Sequence, residues 1–198
     1  MNFPALAGIA STIIALLSGL PYIRSILNHR TRPHRLGWLV FTIMNGMVFF
    51  AQYFSGGRIT TLISLTFFVY SSIIFFLSLT RGTAEASKAD KYLFFFAIVA
   101  MILWSITRNN DLAIWLTLLI DIAASAMIIL KVKHDPTSED PFPWALGTLA
   151  YAFSCISLYH ISFGILYVRP IYGLFCDAAL VGAIWYYSSK LKVGKVIS

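Results

Sequence analysis

Charge is the scarcest thing in this sequence. Only 12% of its 198 residues are Asp, Glu, Lys or Arg, about half the roughly 25% of a soluble domain. That shortfall excludes a chain whose surface is solvated mainly by water. Acidic residues are the scarcer sign, eight against fifteen basic ones, for a net charge of +7. Cysteine occurs twice, at Cys155 and Cys176, both inside apolar stretches, and reads as a small core residue. Histidine occurs four times. His29, His34 and His134 fall in polar connections, and His160 lies near the end of an apolar stretch. No His, Cys and Asp spacing fits a metal site, no Ser-His-acid pattern stands out, and no Gly-rich loop could cradle a phosphate. The expectation is a chain with no catalytic residues, no cofactor and no metal, and not an enzyme.

What the sequence does have is apolar length. Hydrophobic residues make up 59% of it, and the mean hydropathy is +0.78. Seven stretches stand out: Ala5–Leu27, Leu36–Phe54, Ile59–Leu79, Tyr92–Thr107, Leu112–Val132, Phe142–Ile161 and Ile165–Tyr187. A helix rises 1.5 Å per residue, so ~20 residues cross a ~30 Å hydrocarbon core. Only helices or closed barrels satisfy their backbone in lipid, and these runs are too long and too continuously apolar for barrel strands. The first stretch lacks a basic leader and a small-x-small cleavage site, so it reads as a mature helix. The expected partner of most of the surface is the lipid bilayer.

The basic residues are distributed unevenly between the connections. Arg24, Arg30, Arg32, Arg35, Arg81, Lys88, Lys91, Lys131, Lys133, Lys190, Lys192 and Lys195 fall on one side, and Arg58, Arg108 and Arg169 on the other. Twelve against three places the first group in the cytoplasm, the N-terminus outside and the C-terminus inside. As topology anchors between apolar spans, these charges do not point to nucleic acid. The predicted location is the cell membrane, a bacterial inner membrane, as a multi-pass protein.

The sequence also resembles itself. Thr31, Trp38 and Thr42 are matched without a gap, 106 residues later, by Thr137, Trp144 and Thr148. A three-helix unit ends on the opposite side from where it began. Two such units in one orientation therefore need one extra spanning helix between them. The predicted fold is an all-α integral membrane protein of seven transmembrane helices, two parallel three-helix repeats joined by a linker helix (3+1+3). The chain then divides into residues 1–85, the first repeat; 86–110, the linker; 111–190, the second repeat; and 191–198, a cytoplasmic tail.

Several short motifs carry a family likeness. They are Pro21-Tyr22, Thr31-x-Pro33-x-x-x-x-Trp38, Asp121, Pro136-x-x-Glu139 before Trp144, and Pro170 seven residues ahead of Asp177. With these the chain resembles the SWEET / PQ-loop superfamily, and most closely bacterial SWEET-like membrane proteins. The resemblance implies the 3+1+3 fold, alternating access at the repeat interface, and a small polar solute or sugar-like ligand. It also implies a hinge at Pro21. PQ-loop proteins carry Pro-Gln where this chain has Pro21-Tyr22 and, in the second copy, Met127-Ile128. SWEETs place an Asn on each of the helices that match the third and seventh here; Asp177 and Ser71 stand in those places.

The residues themselves suggest where a solute could sit. Trp38, Thr42, Asn45, Phe49 and Gln52 share one face of the second stretch, and Trp144, Thr148, Tyr151 and Cys155 one face of the sixth. Such a stripe either glues helices together or lines a cavity, and Asn45 suits both roles. The two Trp also fit an interfacial belt. Asp121 and Asp177 lie mid-span, where an acid costs ~2.5–3.5 kcal/mol to insert and must face the bundle interior or water. Either a nearby Tyr, such as Tyr22 or Tyr172, pairs with them structurally, or they bind solute. Pro136, Pro141 and Pro143, with Glu139 and Asp140, fit a helix entry. The candidate substrate-binding residues are Trp38, Asn45, Ser71, Asp121, Trp144, Tyr151 and Asp177. The alternative to a transporter is a membrane receptor or interaction protein on the same seven-helix scaffold.

Overall fold

The computed structural model describes residues 3–29, 33–57, 61–83, 87–134, 140–159 and 163–197, with the side chains of Met127, Lys131 and residues 191–197 set aside. Arg30, Thr31, Arg32, Arg58, Pro136, Thr137, Glu139 and His160 lie outside the described residues. The described chain is helical: α1 Phe3–Leu27, α2 Arg35–Phe54, α3 Leu62–Arg81, α4 Lys88–Thr107, α5 Asn110–His134, α6 Pro141–Ser157 and α7 Ile165–Ile197. All but α6 are long and apolar enough to cross a bilayer, and α6 has 17 residues. The chain is membrane-embedded by this measure. Large apolar side chains on the periphery fit that solvent: Ile106 is 73% exposed, Phe175 70% and Phe76 66%.

The helix ends follow from local chemistry. The side chain of His34 accepts from Gly37 N–H and caps α2, and Gly56, at φ 86°, turns the chain after that helix. Asp140 accepts from Phe142 N–H and caps α6, whose first turn holds Pro141 and Pro143. Helix α4 starts earlier than Tyr92. Ser87 and Asp90 form a reciprocal capping box there, so Lys88 and Lys91 belong to the helix. The α4–α5 turn is tight: Arg108 takes a left-handed φ of 53°, and Asn109 Oδ1 accepts from Leu112 N–H. Helix α6 ends at Ser157, short of Ile161, and α7 runs on past Tyr187 to Ile197.

The packing has a definite order. Helix α3 lies between α1 and α2, and α7 lies between α5 and α6. Helix α1 meets α6, and α2 meets α5. Six helices thus follow one another around a closed ring, α1–α3–α2–α5–α7–α6, with α4 outside it against α2 and α5. Only Ala97 and Ala100 of α4 are buried, on the side turned to that seam. Small residues allow close approach inside the ring, as packing in lipid requires.

Several contacts recur at a spacing of 106 residues. Thr42 Oγ1 donates to Trp38 O at 2.8 Å, and Thr148 Oγ1 to Trp144 O at 2.9 Å. The caps His34 and Asp140 stand in matching places. Gly19 of α1 lies against the Tyr70 ring of α3, and at the matching positions Cys176 of α7 donates to Ser125 of α5 at 3.1 Å.

Candidate functional site

Among the described residues, one buried ion pair within the spans joins α5 to α7. Arg169 Nη1 donates to Asp121 Oδ2 at 2.8 Å, with side chains only 11% and 14% exposed. This corrects two expectations. Arg169 is not a loop anchor; it sits in the second turn of α7 and points into the bundle. The partner of Asp121 is this arginine rather than Tyr22 or Tyr172. The physical reason is charge: a mid-span carboxylate is matched better by a guanidinium, which stays cationic in apolar surroundings, than by a phenol.

Two aromatic rings flank the guanidinium. Its carbon lies 5.6 Å from the centroid of Tyr172 and 6.0 Å from that of Tyr151, within the range of cation–π attraction. Tyr151 is 5% exposed and stacks on Phe67 of α3 with centroids 5.6 Å apart. It belongs to one apolar cluster with Ala15 of α1, Ile63 of α3 and Ala150. Its ring lies over Gly173, where an added Cβ would come within 2.4 Å of Cε2. Four helices, α1, α3, α6 and α7, therefore meet at Tyr151. Nearby, Ser11 Oγ of α1 donates to Ala150 O at 2.8 Å.

Asp177 lies two turns beyond Arg169 on α7. It is half-buried, and its carboxyl group rests in a notch left by Gly147 of α6. An added Cβ at Gly147 would stand 2.2 Å from Oδ2. No hydrogen bond or ion pair joins Asp177 to another described residue. The cluster thus holds a matched pair, Asp121 and Arg169, and a third ionisable group that protein does not match.

The other predicted residues divide. Ser71 is fully buried and its hydroxyl donates back to Phe68 O at 3.1 Å. Trp38 sits in an aromatic group, 5.3 Å from Tyr22, 5.6 Å from Phe41 and 5.7 Å from Tyr70. Gln52 accepts from Ser64 Oγ at 2.5 Å, and Phe49 stacks on Phe68. Of the two readings of the α2 stripe, Trp38, Phe49 and Gln52 follow helix packing against α3. Asn45 is half-buried and makes no hydrogen bond to another described residue. Trp144 is half-buried near the start of α6. No hydrogen bond, ion pair or ring contact among the described residues joins Asn45 or Trp144 to Asp177. Pro21 lies inside α1, exposed, six residues before its end.

The residue that sequence reading assigned elsewhere is Arg169. Its signal was available: an arginine inside the apolar stretch Ile165–Tyr187, next to Pro170 and eight residues from Asp177. No group of three His, Cys, Asp or Glu among the described residues could hold a metal ion. No family model, curated protein or solved structure matches the chain.

Proposed function

We propose that the protein is a transporter of a small polar solute, working by alternating access between two three-helix units. The units are α1–α3 and α5–α7, in one orientation, with α4 as the linker of a 3+1+3 plan like that of the SWEET / PQ-loop superfamily. The matching order of packing in the two sets supports this duplication, as do the contacts that recur at 106 residues. The paired meetings of α1 with α6 and α2 with α5 are those that a two-fold exchange of the units would generate. On this reading the chain lies in the cell membrane with its N-terminus outside and its C-terminus in the cytoplasm.

The observation that carries the reading is the place of the polar cluster. Asp121, Arg169 and Asp177 gather around Tyr151, where helices of both units touch. Charges at mid-span are expensive and mark solute or ion paths. The unit α1–α3 has Ala15, Ile63 and Ser71 at the matching places, so one unit supplies the charge and the other an uncharged wall. A site at the interface of two units that rock against each other meets both sides of the membrane in turn.

The test is uptake into vesicles reconstituted with purified protein, using a panel of radiolabelled sugars and amino acids. The account expects saturable exchange of at least one solute and a loss of tenfold or more in Asp177→Asn. Absence of uptake and of binding across the panel, with Asp177→Asn behaving like the native chain in cells, would overturn it.

A further inference from the structure

Helices α6 and α7 interlock through two glycines. The Tyr151 ring of α6 lies over Gly173 of α7, and the Asp177 carboxyl of α7 rests against Gly147 of α6. Gly147 stands four residues before Tyr151, and Gly173 four before Asp177, so each pair shares one face of its helix, a turn apart. The interlock therefore sets the acid beside the ring. Phe67 of α3 stacks on that ring and adds apolar surface. The positions 106 residues before the two glycines hold Phe41 and Phe67, so this pair of notches is not repeated in α2 and α3.

The charges in this region do not cancel. Among the described side chains, every Lys and Arg except Arg169 stands in the first or last turn of an apolar span or outside the spans. Arg169 is already engaged, by Asp121 at 2.8 Å and by the rings of Tyr151 and Tyr172. Asp177 has no hydrogen bond or ion pair with another described residue. We propose that the solute carries a protonated amine, and that Asp177 receives it beside Tyr151. The ammonium donates N–H to the carboxylate, and the two charges cancel, as charge at mid-span demands. The face of a phenol ring attracts the same cation.

Other solutes fit less well. A sugar hydroxyl can donate to Asp177 but leaves its negative charge unbalanced. A metal ion needs several oxygen or nitrogen ligands at once, and no group of three His, Cys, Asp or Glu stands together among the described residues. A carboxylate on the solute finds its natural partner taken, because Arg169 is bound to Asp121. The amine is therefore the end that is read, and an amino acid gains nothing from its carboxylate. This rests on the transporter reading for the solute's passage across the membrane, but recognition of the amine stands or falls without transport.

The test is equilibrium binding to the full chain in lipid nanodiscs at neutral pH. Radiolabelled phenethylamine is displaced by unlabelled phenethylamine, hexylamine, their alcohols phenethyl alcohol and hexanol, phenylalanine and glucose. The native chain should prefer each amine to its alcohol by about tenfold or more, roughly the worth of one charge-assisted hydrogen bond. Phenylalanine should bind no better than phenethylamine. Asp177→Asn keeps the shape without the charge and should lose the preference, while Asp140→Asn, which still caps α6, should keep it. A second arm needs no variant: phenethylamine, but not phenethyl alcohol, should slow modification of Asp177 by dicyclohexylcarbodiimide, read by mass spectrometry. No saturable amine binding, equal binding of amine and alcohol, an unchanged preference in Asp177→Asn, or no protection of Asp177 would overturn the amine site. Amine binding without uptake of any solute would leave that site standing and remove the transporter; glucose uptake untouched by either amine would do the reverse.

Discussion

Replacing the Asp121–Arg169 pair one residue at a time should cost far more than replacing both. Arg169→Ile leaves the Asp121 carboxylate, 14% exposed, without its counter-charge. Breaking a buried pair in this way costs about 3–5 kcal/mol. Asp121→Ala leaves the guanidinium stranded between Tyr151 and Tyr172. Each ring returns ~0.5–2 kcal/mol of cation–π attraction, so this variant should fall at the lower end of that range. The double variant strands nothing, and apolar replacement of a whole buried pair is often neutral. The positions 106 residues earlier are apolar, and Ala15 and Ile63 there sit in one cluster. The double variant should therefore cost roughly 1–2 kcal/mol, for a coupling of several kcal/mol between the two sites. The assay is reversible unfolding in mixed micelles, followed by tryptophan fluorescence, for all four members of the cycle. A double variant whose cost equals the sum of the single costs to within about 0.5 kcal/mol would refute the reasoning.

Two further outcomes follow from the packing and the charge pattern. Gly173→Ala should lower stability by about 1–3 kcal/mol, because the new Cβ meets three atoms of the Tyr151 ring at 2.4–2.6 Å. Gly182→Ala, with nothing within 4 Å, should be neutral or gain up to about 1 kcal/mol of helix propensity; equal melting curves for the two variants would contradict the tight contact. Cysteines introduced at Asn28 and Asn109 should react with an impermeant maleimide from opposite sides of the membrane, Asn28→Cys from the cytoplasm. Labelling of both from one side would break the topology.

The fold was legible in the sequence because its main signal, apolar length, is local. Seven stretches became seven helices, with errors where polar residues were read as loop. Lys88, Asp90 and Lys91 belong to α4 because a Ser-x-x-Asp box starts it; the usual sequence sign has Glu or Gln in the last place. Lys190 belongs to α7, which continues beyond the apolar run. The site was legible in part. Asp121, Tyr151 and Asp177 stand out as polar or aromatic residues at mid-span, and they gather in one region. Arg169 was assigned to the outer connection because a count of basic residues treats every arginine as an anchor. Its partner lies 48 residues away, a distance no periodicity reports. The stripe from Trp38 to Gln52 shows the reverse problem. Helical spacing places its residues on one face but cannot say whether that face meets a cavity or, as for Gln52 and Ser64, another helix.

The central claim is that the cluster around Asp177 opens to each side of the membrane in turn. The direct measurement is the reactivity of Asp177→Cys, in a Cys155→Ser, Cys176→Ser background, toward impermeant thiol reagents added from either side. Alternating access predicts labelling from both sides, with each side blocked when the opposite conformation is trapped. Labelling from one side alone, unchanged by any solute, would contradict the account and describe a pocket that receives without transporting.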